Sequence, residues 1–143
     1  MLSLALEEAE EARKKGEVPV GAVIVKDGKV IAKAHNLKES LNDPTAHAEI
    51  LAIREACNKI NNWRLQGCEM YVTLEPCPMC AGAILQSRIS KIHIGTFDET
   101  TGAAGSIVNI LQNPNLNHFL EVKWENDENC SKILTKFFKD RRG

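Results

Sequence analysis

The stretch "TAHAEI" places His47 and Glu49 two residues apart. Side chains at that spacing do not share a helix face, because neighbours on a helical surface are three or four residues apart. The two residues can act together only if a helix begins almost at His47, so that both side chains project past its N-terminal end. We therefore predict a helix start there, with His47 as a metal ligand and Glu49 as a base.

A second candidate group is formed by Cys77 and Cys80 in "PCPMC". Pro78 suits the first turn of a helix, which would place Cys77 near the N-cap and Cys80 one turn further on. The positive end of the helix dipole would favour thiolates at these positions. Together with His47 they provide three zinc ligands of the right chemical type and leave the fourth tetrahedral position open to water, as a catalytic site requires.

Two other interpretations of the cysteine pair stay open. A lone CxxC pair could be a redox site, although the βαβ unit that usually precedes such a motif is missing. A structural zinc site would need a fourth protein ligand, and no other cysteine or histidine has a paired spacing. Cys57 and Cys130 fall in predicted helices, so we interpret them as small core residues. His93 falls in a predicted strand, where we expect its side chain on the opposite face. The nominal fourth ligands are Cys57, Cys68, His35, His93 and His118.

The composition limits the class of protein. A length of 143 residues with 43% hydrophobic residues predicts one domain over residues 1–143. A net charge of -1 gives no general basic field, so binding of nucleic acid would depend on local patches. The longest apolar run, "VPVGAVIV", is too short to span a bilayer, and the N-terminus has no basic leader. We expect a cytoplasmic protein without a membrane anchor, whose five cysteines serve metal or redox chemistry rather than disulfides.

The order of elements predicts the fold. Helical periodicity runs from Leu2 to Ala12, and "VPVGAVIV" and "KVIAKAH" flank the hairpin dipeptide Asp27-Gly28. A second helix is predicted from about His47 to Ile60, followed by a strand at "EMYVTL" and a helix from "PCPMCAGAIL". Strands at "KIHIG" and "FLEVKW" and a helix at "CSKILTKFFKD" complete the chain. This alternation predicts an α/β fold with three α/β/α layers around a mixed five-stranded sheet.

The stretches "DPTAHAEI" and "LEPCPMCAGAI" resemble the zinc-dependent cytidine deaminase superfamily, and in detail the bacterial tRNA-specific adenosine deaminases. Their H-x-E and P-C-x-x-C signature is the established one of zinc-dependent nucleobase deaminases. The stretches "EVPVGAV", "NWRL", "DETTGAAGS" and "FFKDRR" follow in the family's order, so the resemblance covers nearly the whole chain. It implies a cytidine-deaminase-like fold, one Zn²⁺ on His47, Cys77 and Cys80, and Glu49 as the proton shuttle when adenosine becomes inosine at the anticodon wobble position.

The same resemblance implies further residues and partners. Asn36 would hold the target base by its amide, and the partner would be a tRNA anticodon stem-loop. A homodimer is also implied, to which the small residues of "CAGAI" could contribute. One departure is visible, because the family usually has a glycine-containing turn before Cys130 where this chain reads "KWENDENC". The other implied substrate contacts are Ala48, Asp98, Asn117, Phe138 and Arg141.

The substrate is left open by the zinc motifs, since guanine and cytosine deaminases of the superfamily carry the same ones. The tail "KFFKDRR" mixes cations with aromatic rings, as single-stranded nucleic acid prefers, but it is also typical of an amphipathic helix with phenylalanines in the core. A non-catalytic zinc or RNA-binding subunit is a further alternative, although it would have no need of Glu49. Asp98 is either a turn residue or a carboxylate that favours RNA by accepting a hydrogen bond from a ribose 2′-hydroxyl.

Overall fold

The computed structural model describes residues 1–142, with the side chains of residues 1–141. Within this part of the chain there are four helices and five strands, and none of these helices is long and apolar enough to cross a membrane. In chain order the elements are α1 (Leu2–Lys14), β1 (Gly21–Lys26), β2 (Lys29–His35), α2 (Ala48–Ile60), β3 (Cys68–Leu74), α3 (Pro78–Ser87), β4 (Lys91–Thr96), β5 (Glu121–Trp124) and α4 (Glu128–Arg142).

The strands form one mixed sheet in the order β2-β1-β3-β4-β5. β1 is antiparallel to β2 and β3, whereas β3, β4 and β5 run parallel to one another. Asp27 and Gly28 both have positive φ, at 50° and 77°, as a two-residue hairpin of this type requires. The predicted hairpin and the predicted five-stranded mixed sheet are confirmed.

Helices cover both faces of the sheet, which confirms the three-layer architecture. On one face, α2 and α3 share a core with alternate residues of the strands, including Ile24, Met70 and Ile92. On the other face, α1 packs against β1 and α4 against β4. The α1 backbone lies directly on β1, because a Cβ atom built at Gly21 would be 1.9 Å from the carbonyl oxygen of Ala5.

The path into α4 explains the departure from the family pattern before Cys130. Asn126 has φ 49° and so takes the left-handed conformation that glycine adopts most easily. Asp127 then accepts the N–H groups of Asn129 and Cys130 through its Oδ1, and α4 begins at Glu128, two residues earlier than predicted. Cys130 is buried against Gly95, so its interpretation as a packing residue is confirmed.

Strand starts differ slightly from the prediction. β1 begins at Gly21 rather than at Val18, because Pro19 has no N–H to give to the sheet and the N–H of Val20 turns back to the carbonyl of Val18 at 2.9 Å. β5 begins at Glu121 rather than at Phe119, since the N–H of Leu120 binds the carbonyl of Leu111 instead of a neighbouring strand.

Candidate active site

Two helix starts carry the chemically active side chains. His47 is the N-cap of α2 in an extended conformation, with φ -80° and ψ 152°, and Glu49 lies in the first turn. Cys77 is the N-cap of α3, also extended, with φ -72° and ψ 172°, and Pro78 opens the helix. Both predicted helix starts are confirmed. The extended N-cap conformation directs each side chain across the end of its helix instead of along its flank.

The two helix starts face each other across a short distance. The Nδ1 atom of His47 lies 3.4 Å from the Sγ of Cys80 and 3.7 Å from the Sγ of Cys77. The three atoms lie within 4.8 Å of one another, which is close enough for all of them to bind one metal ion. Two thiols and an imidazole form a donor set that binds zinc in preference to magnesium or calcium. We call these three residues together with Glu49 the floor of the site.

The remaining cysteines and histidines lie elsewhere in the described part of the chain. His35 and His93 contact carboxylates, and His118 contacts a backbone carbonyl. Cys57 donates to a backbone carbonyl at 3.6 Å, and Cys68 is buried at the start of β3. No fourth protein ligand joins the cluster among residues 1–141. A metal bound there would keep an open position, which distinguishes a catalytic site from a structural one.

Burial and a hydrogen bond between the two cysteines shift the pKa values of the floor residues. Glu49 is only 4% exposed, and burial raises its pKa to about 7, so the side chain can hold or release a proton near neutral pH. The hydrogen bond from Cys80 lowers the pKa of Cys77 to about 4, and the same bond, together with burial, raises the pKa of Cys80. A divalent cation between the two sulfurs would favour the thiolate form of both.

Asn36 fixes the start of α2 from the side. Its Oδ1 accepts the N–H of Ala48 at 2.8 Å, and its Nδ2 donates to the carbonyl of Val18 at 3.1 Å. Ala48 itself is fully buried, and its N–H is used in this bond. Asn36 lines the cavity described next, and its amide keeps a second N–H and a second lone pair for a ligand.

A cavity of about 300 Å³ opens above the floor. Val18, Val20 and Leu74 give it an apolar side. The β2–α2 loop (residues 36–47) and the β4–β5 loop (residues 97–120) also border the cavity. We call the residues of these loops that line it, apart from His47, the rim: Asn36, Lys38, Glu39, Asp98 and Thr101. Arg141 reaches the cavity from α4.

Each rim loop is attached to a buried carboxylate. Glu17, 1% exposed, accepts the N–H of Glu39 at 3.0 Å and both the N–H and the hydroxyl of Ser40 at 2.6 Å. Burial acts to raise the pKa of Glu17, but these hydrogen bonds outweigh it and hold the pKa below its usual value. Glu75 is 2% exposed and accepts hydrogen bonds from the β4–β5 loop in the same manner. Both glutamates also line the cavity.

Comparison with known proteins agrees with this geometry. A family model described as MafB19-like deaminase matches residues 1–142. A tRNA-specific adenosine deaminase of Aquifex aeolicus is 54% identical over 143 residues, which are 99% of this chain and 93% of the relative. The tRNA-specific adenosine deaminase of Bacillus subtilis is 49% identical over 96% of this chain and 86% of its own.

This chain belongs to the tRNA-specific adenosine deaminase family.

Solved structures place this family member among deaminases of one fold. A structure from a study of A-to-I editing by tRNA:A34 deaminases has a TM-score of 0.89 and 45% identity, over 93% of this chain and 97% of that chain. A guanine deaminase from Bacillus subtilis has a TM-score of 0.64 and 30% identity, over 99% of this chain and 92% of its own. The predicted cytidine-deaminase-like fold is confirmed.

The remaining predicted substrate contacts fall in different places. Asp98 and Arg141 line the cavity, whereas Asn117 lies outside the lining and accepts a long hydrogen bond of 3.5 Å from Arg88. Phe138 is 45% exposed and meets Phe137 edge to face, with ring centroids 5.4 Å apart. The structure therefore brings Asp98 and Arg141 to the site, and their roles stay predictions.

Asp98 is a turn residue, the first of the two roles that the sequence left open, and its predicted contact with a ribose 2′-hydroxyl stays a prediction. Its Oδ1 accepts the N–H and hydroxyl of Thr100, and its Oδ2 accepts the hydroxyl of Thr101 at 2.9 Å, as in an Asx turn. Burial acts to raise its pKa, but these bonds outweigh it and lower the pKa of the carboxyl. The side chain is a turn residue that also borders the cavity.

The tail contributes Arg141 to the lining of the cavity and Phe137 to the core. Phe137 is buried, and the guanidinium of Arg141 lies 5.2 Å from the centre of its ring. The amphipathic interpretation of the tail therefore holds for Phe137, while the exposed Phe138 leaves an aromatic surface on the same helix. The side chain of Arg142, which belonged to the predicted basic cluster, lies outside the described residues, as does Gly143.

Sequence reasoning missed the two buried glutamates that bind the rim loops. Glu17 stands between Gly16 and the apolar run "VPVGAVIV", and Glu75 lies between Leu74 and Pro76. A charge at the border of a buried strand was the available signal, because a buried carboxylate needs several hydrogen-bond donors. The sequence could not show which donors these were.

Proposed function

We propose that this protein hydrolytically deaminates adenosine to inosine at the wobble position of a tRNA anticodon. The observation that carries the proposal is the buried Glu49 beside three side chains that can bind one metal ion and would leave a ligand position open. The curated relatives bear the corresponding name at 54% and 49% identity. The reaction would take place in the cytoplasm, where tRNA decodes messages.

We assign His47, Cys77 and Cys80 as the ligands of one zinc ion. When bound, zinc supplies a Lewis acid that lowers the pKa of a water molecule. Glu49 takes a proton from the attacking water and passes it to the ring nitrogen of the base. It then carries the second proton of that water to the exocyclic amine, which leaves as ammonia while the base keeps the oxygen. A carboxyl that exchanges protons near neutral pH suits both transfers.

The polar groups above the floor suit a base attached to a strand of RNA. The free N–H of Asn36 can hold the edge of the base, and the apolar side formed by Val18, Val20 and Leu74 can contact its rings. The phosphates would lie outside, beside Arg141, since much of the lining, including Glu49, is acidic. The substrate strand would therefore insert one base and leave its backbone at the rim.

To test this function, the purified protein is incubated with each of three substrates in a separate reaction. They are an anticodon stem-loop with adenosine at the wobble position, free guanine and free cytosine, and the products are separated by chromatography. We expect inosine from the stem-loop and no xanthine or uracil. A stem-loop with adenosine at a neighbouring anticodon position is the matched control and should stay unchanged.

Two results would favour the alternatives. Xanthine from guanine with an untouched stem-loop would indicate a guanine deaminase, the activity named for the Bacillus subtilis structure of 30% identity. Binding of the stem-loop with no product from any substrate, in protein that carries its full zinc content, would indicate a non-catalytic RNA-binding subunit.

We also propose that the protein forms a homodimer through the outer face of α3. Within "CAGAI", Ala81 and Ile84 are buried in the core, but Gly82 and Ala83 are only half-buried, and a Cβ atom at Gly82 would meet nothing within 4 Å. Met79 on the same helix is exposed. Small and apolar residues on one open helix face allow a second copy to approach closely.

Sedimentation analysis tests the dimer. Gly82→Arg places a long charged side chain on the outer face of α3, where it has room in the single chain but would clash within an interface. We expect a dimer for the unchanged protein and for Glu11→Arg, an exposed position on α1, and a monomer for Gly82→Arg. A Gly82→Arg variant that sediments like the unchanged protein would place the interface elsewhere.

A further inference from the structure

The side chain of Glu75 is almost wholly enclosed by the β4–β5 loop. Its Oε1 accepts the N–H of Asp98 at 2.9 Å and the hydroxyl of Ser106. Its Oε2 accepts the N–H of Ala104 at 2.8 Å and the N–H of Ser106 at 3.1 Å. One buried carboxylate thus binds both the beginning of the loop and its middle.

The donors around Glu75 are three backbone N–H groups and one hydroxyl. Backbone N–H groups that converge in this way form a cradle for an anion, and here the anion belongs to the protein itself. An amide in place of the carboxylate could satisfy the Ser106 hydroxyl, which can also accept. It would then point an NH₂ group at the N–H of Asp98, so that contact would be lost.

Gly102 shows how closely the loop follows this carboxylate. A Cβ atom at Gly102 would lie 2.4 Å from the Cδ and Oε1 of Glu75 and 2.5 Å from the carbonyl oxygen of Asp98. Both distances are far below a van der Waals contact. A side chain at position 102 would push the loop away from Glu75 while leaving the carboxylate intact.

Glu75 also stands next to the floor of the site. The carbonyl of Pro76 accepts the N–H of Ala103 at 2.8 Å, so the loop is bound to the segment that leads into the ligand Cys77. The residues of the loop that line the cavity are Asp98 and Thr101. The position of these two residues relative to the floor therefore depends on the hydrogen bonds made by Glu75 and Pro76.

We propose that Glu75 is a positioning residue for the substrate. It fixes the wall formed by Asp98 and Thr101 at the distance from the floor that fits the RNA strand beside the inserted base. It acts on substrate binding and leaves the proton transfers to Glu49. The kinetic part of this proposal rests on the proposed function, whereas the structural part does not.

The kinetic test compares Glu75→Gln with Glu99→Gln, an exposed glutamate of the same loop whose replacement changes charge equally. We expect Glu75→Gln to raise KM for the stem-loop about tenfold, the effect of weakened hydrogen bonds to a charged group, with kcat within about twofold. Glu99→Gln should leave both unchanged. Zinc content and Tm are measured alongside, because a merely structural role would lower Tm without separating KM from kcat. A loss of kcat at unchanged KM would overturn the proposal.

A second variant approaches the same contact from the loop. Gly102→Ala should raise KM in the same manner, and it also provides the test if Glu75→Gln does not fold. Because both changes break one contact, the double variant should be little worse than the more severe single variant. KM effects that multiply fully in the double variant would show independent sites and overturn the proposal.

Hydrogen exchange tests whether Glu75 fixes the β4–β5 loop without measuring catalysis. In Glu75→Gln the amide of Asp98 should exchange faster than in Glu99→Gln, while amides of the β3 strand stay protected. Equal exchange of the Asp98 amide in both variants would overturn the proposal. If the unchanged protein makes no inosine from the stem-loop, the proposed function fails, yet the exchange data still decide whether Glu75 fixes the loop.

Discussion

The floor and the rim of the cavity reach the same small space by different routes. The floor consists of His47, Glu49, Cys77 and Cys80, which lie on the first turns of two helices. The rim residues lie on two loops, and each loop is bound by one buried glutamate, Glu17 or Glu75, from another part of the chain. The floor is positioned by helix ends, whereas the rim is positioned by hydrogen bonds to buried carboxylates.

This difference indicates a division of labour. Helix starts are rigid because the sheet and helices pack around them, so they suit groups that must bind a metal and move protons. Loops held by a few hydrogen bonds can change between relatives without disturbing the core, so they suit substrate recognition. Changes in the floor should therefore affect metal binding and kcat, and changes in the rim should affect substrate binding and choice.

The largest effect is expected at the zinc ligands. Cys77→Ala or Cys80→Ala removes one of three protein ligands, so the purified variant should lose zinc and its activity should fall to background. Elemental analysis per mole of protein and the stem-loop assay measure both. Cys57→Ala and Cys68→Ala serve as controls that keep zinc. Loss of zinc in Cys68→Ala would mean a fourth protein ligand and would remove the open position from the floor.

Next in size is the effect of Glu49→Gln. The amide keeps the shape of the side chain but cannot carry the proton, so kcat should fall by ~10²- to 10⁴-fold while zinc and RNA binding are retained. Single-turnover assays with saturating protein measure the chemical step. Glu55→Gln, an exposed position of the same helix, should behave like the unchanged protein. Turnover of Glu49→Gln within a few-fold of normal would place the proton shuttle outside the floor.

A smaller effect, on selectivity rather than on rate, is expected for Asp98→Asn. Facing deoxyribose, the carboxylate has no 2′-hydroxyl to accept from and repels the backbone, whereas an amide removes the charge and can donate. The ratio of kcat/KM on matched RNA and DNA stem-loops should therefore fall in the variant. The same ratio is measured for Glu99→Gln. A ratio that does not change in Asp98→Asn would leave Asp98 as a turn residue only.

The smallest expected effect is a change in how the free energy of unfolding depends on pH when Glu17 is replaced. Because the pKa of Glu17 in the folded protein lies below its usual 4.5, the ionised side chain contributes stability above that pH, and this contribution is lost as pH falls through the folded pKa. Glu17→Gln should lower the free energy of unfolding at pH 7 and lower it less at pH 3.5. Urea titrations at both pH values measure this, with Glu55→Gln as control. An equal loss at both pH values would show that the ionised carboxylate is not what holds the β2–α2 loop.

The sequence by itself determined the floor and most of the elements. A helix start or a hairpin turn is set by residues adjacent in the chain, so its signals are local. Here these signals are the proline after Cys77, the close spacing of His47 and Glu49, and the dipeptide that begins at Asp27. The residue types indicated a zinc site, and the resemblance to the deaminase motifs added its substrate. The helix starts and the turn were predicted from residues within a few positions of one another, whereas the grouping of His47 with the two cysteines was inferred from their shared preference for zinc.

Only the tertiary structure shows which donors bind the two buried glutamates, and how closely the two helix starts approach each other. Glu17 binds Ser40 across 23 positions and Glu75 binds Ser106 across 31, while His47 and Cys80 are 33 positions apart. Such contacts depend on how the sheet brings its loops to one edge, and neither periodicity nor capping records that arrangement. A buried carboxylate is satisfied by whichever N–H groups the fold brings to it, so its partners follow from the packing and not from its neighbours in the sequence.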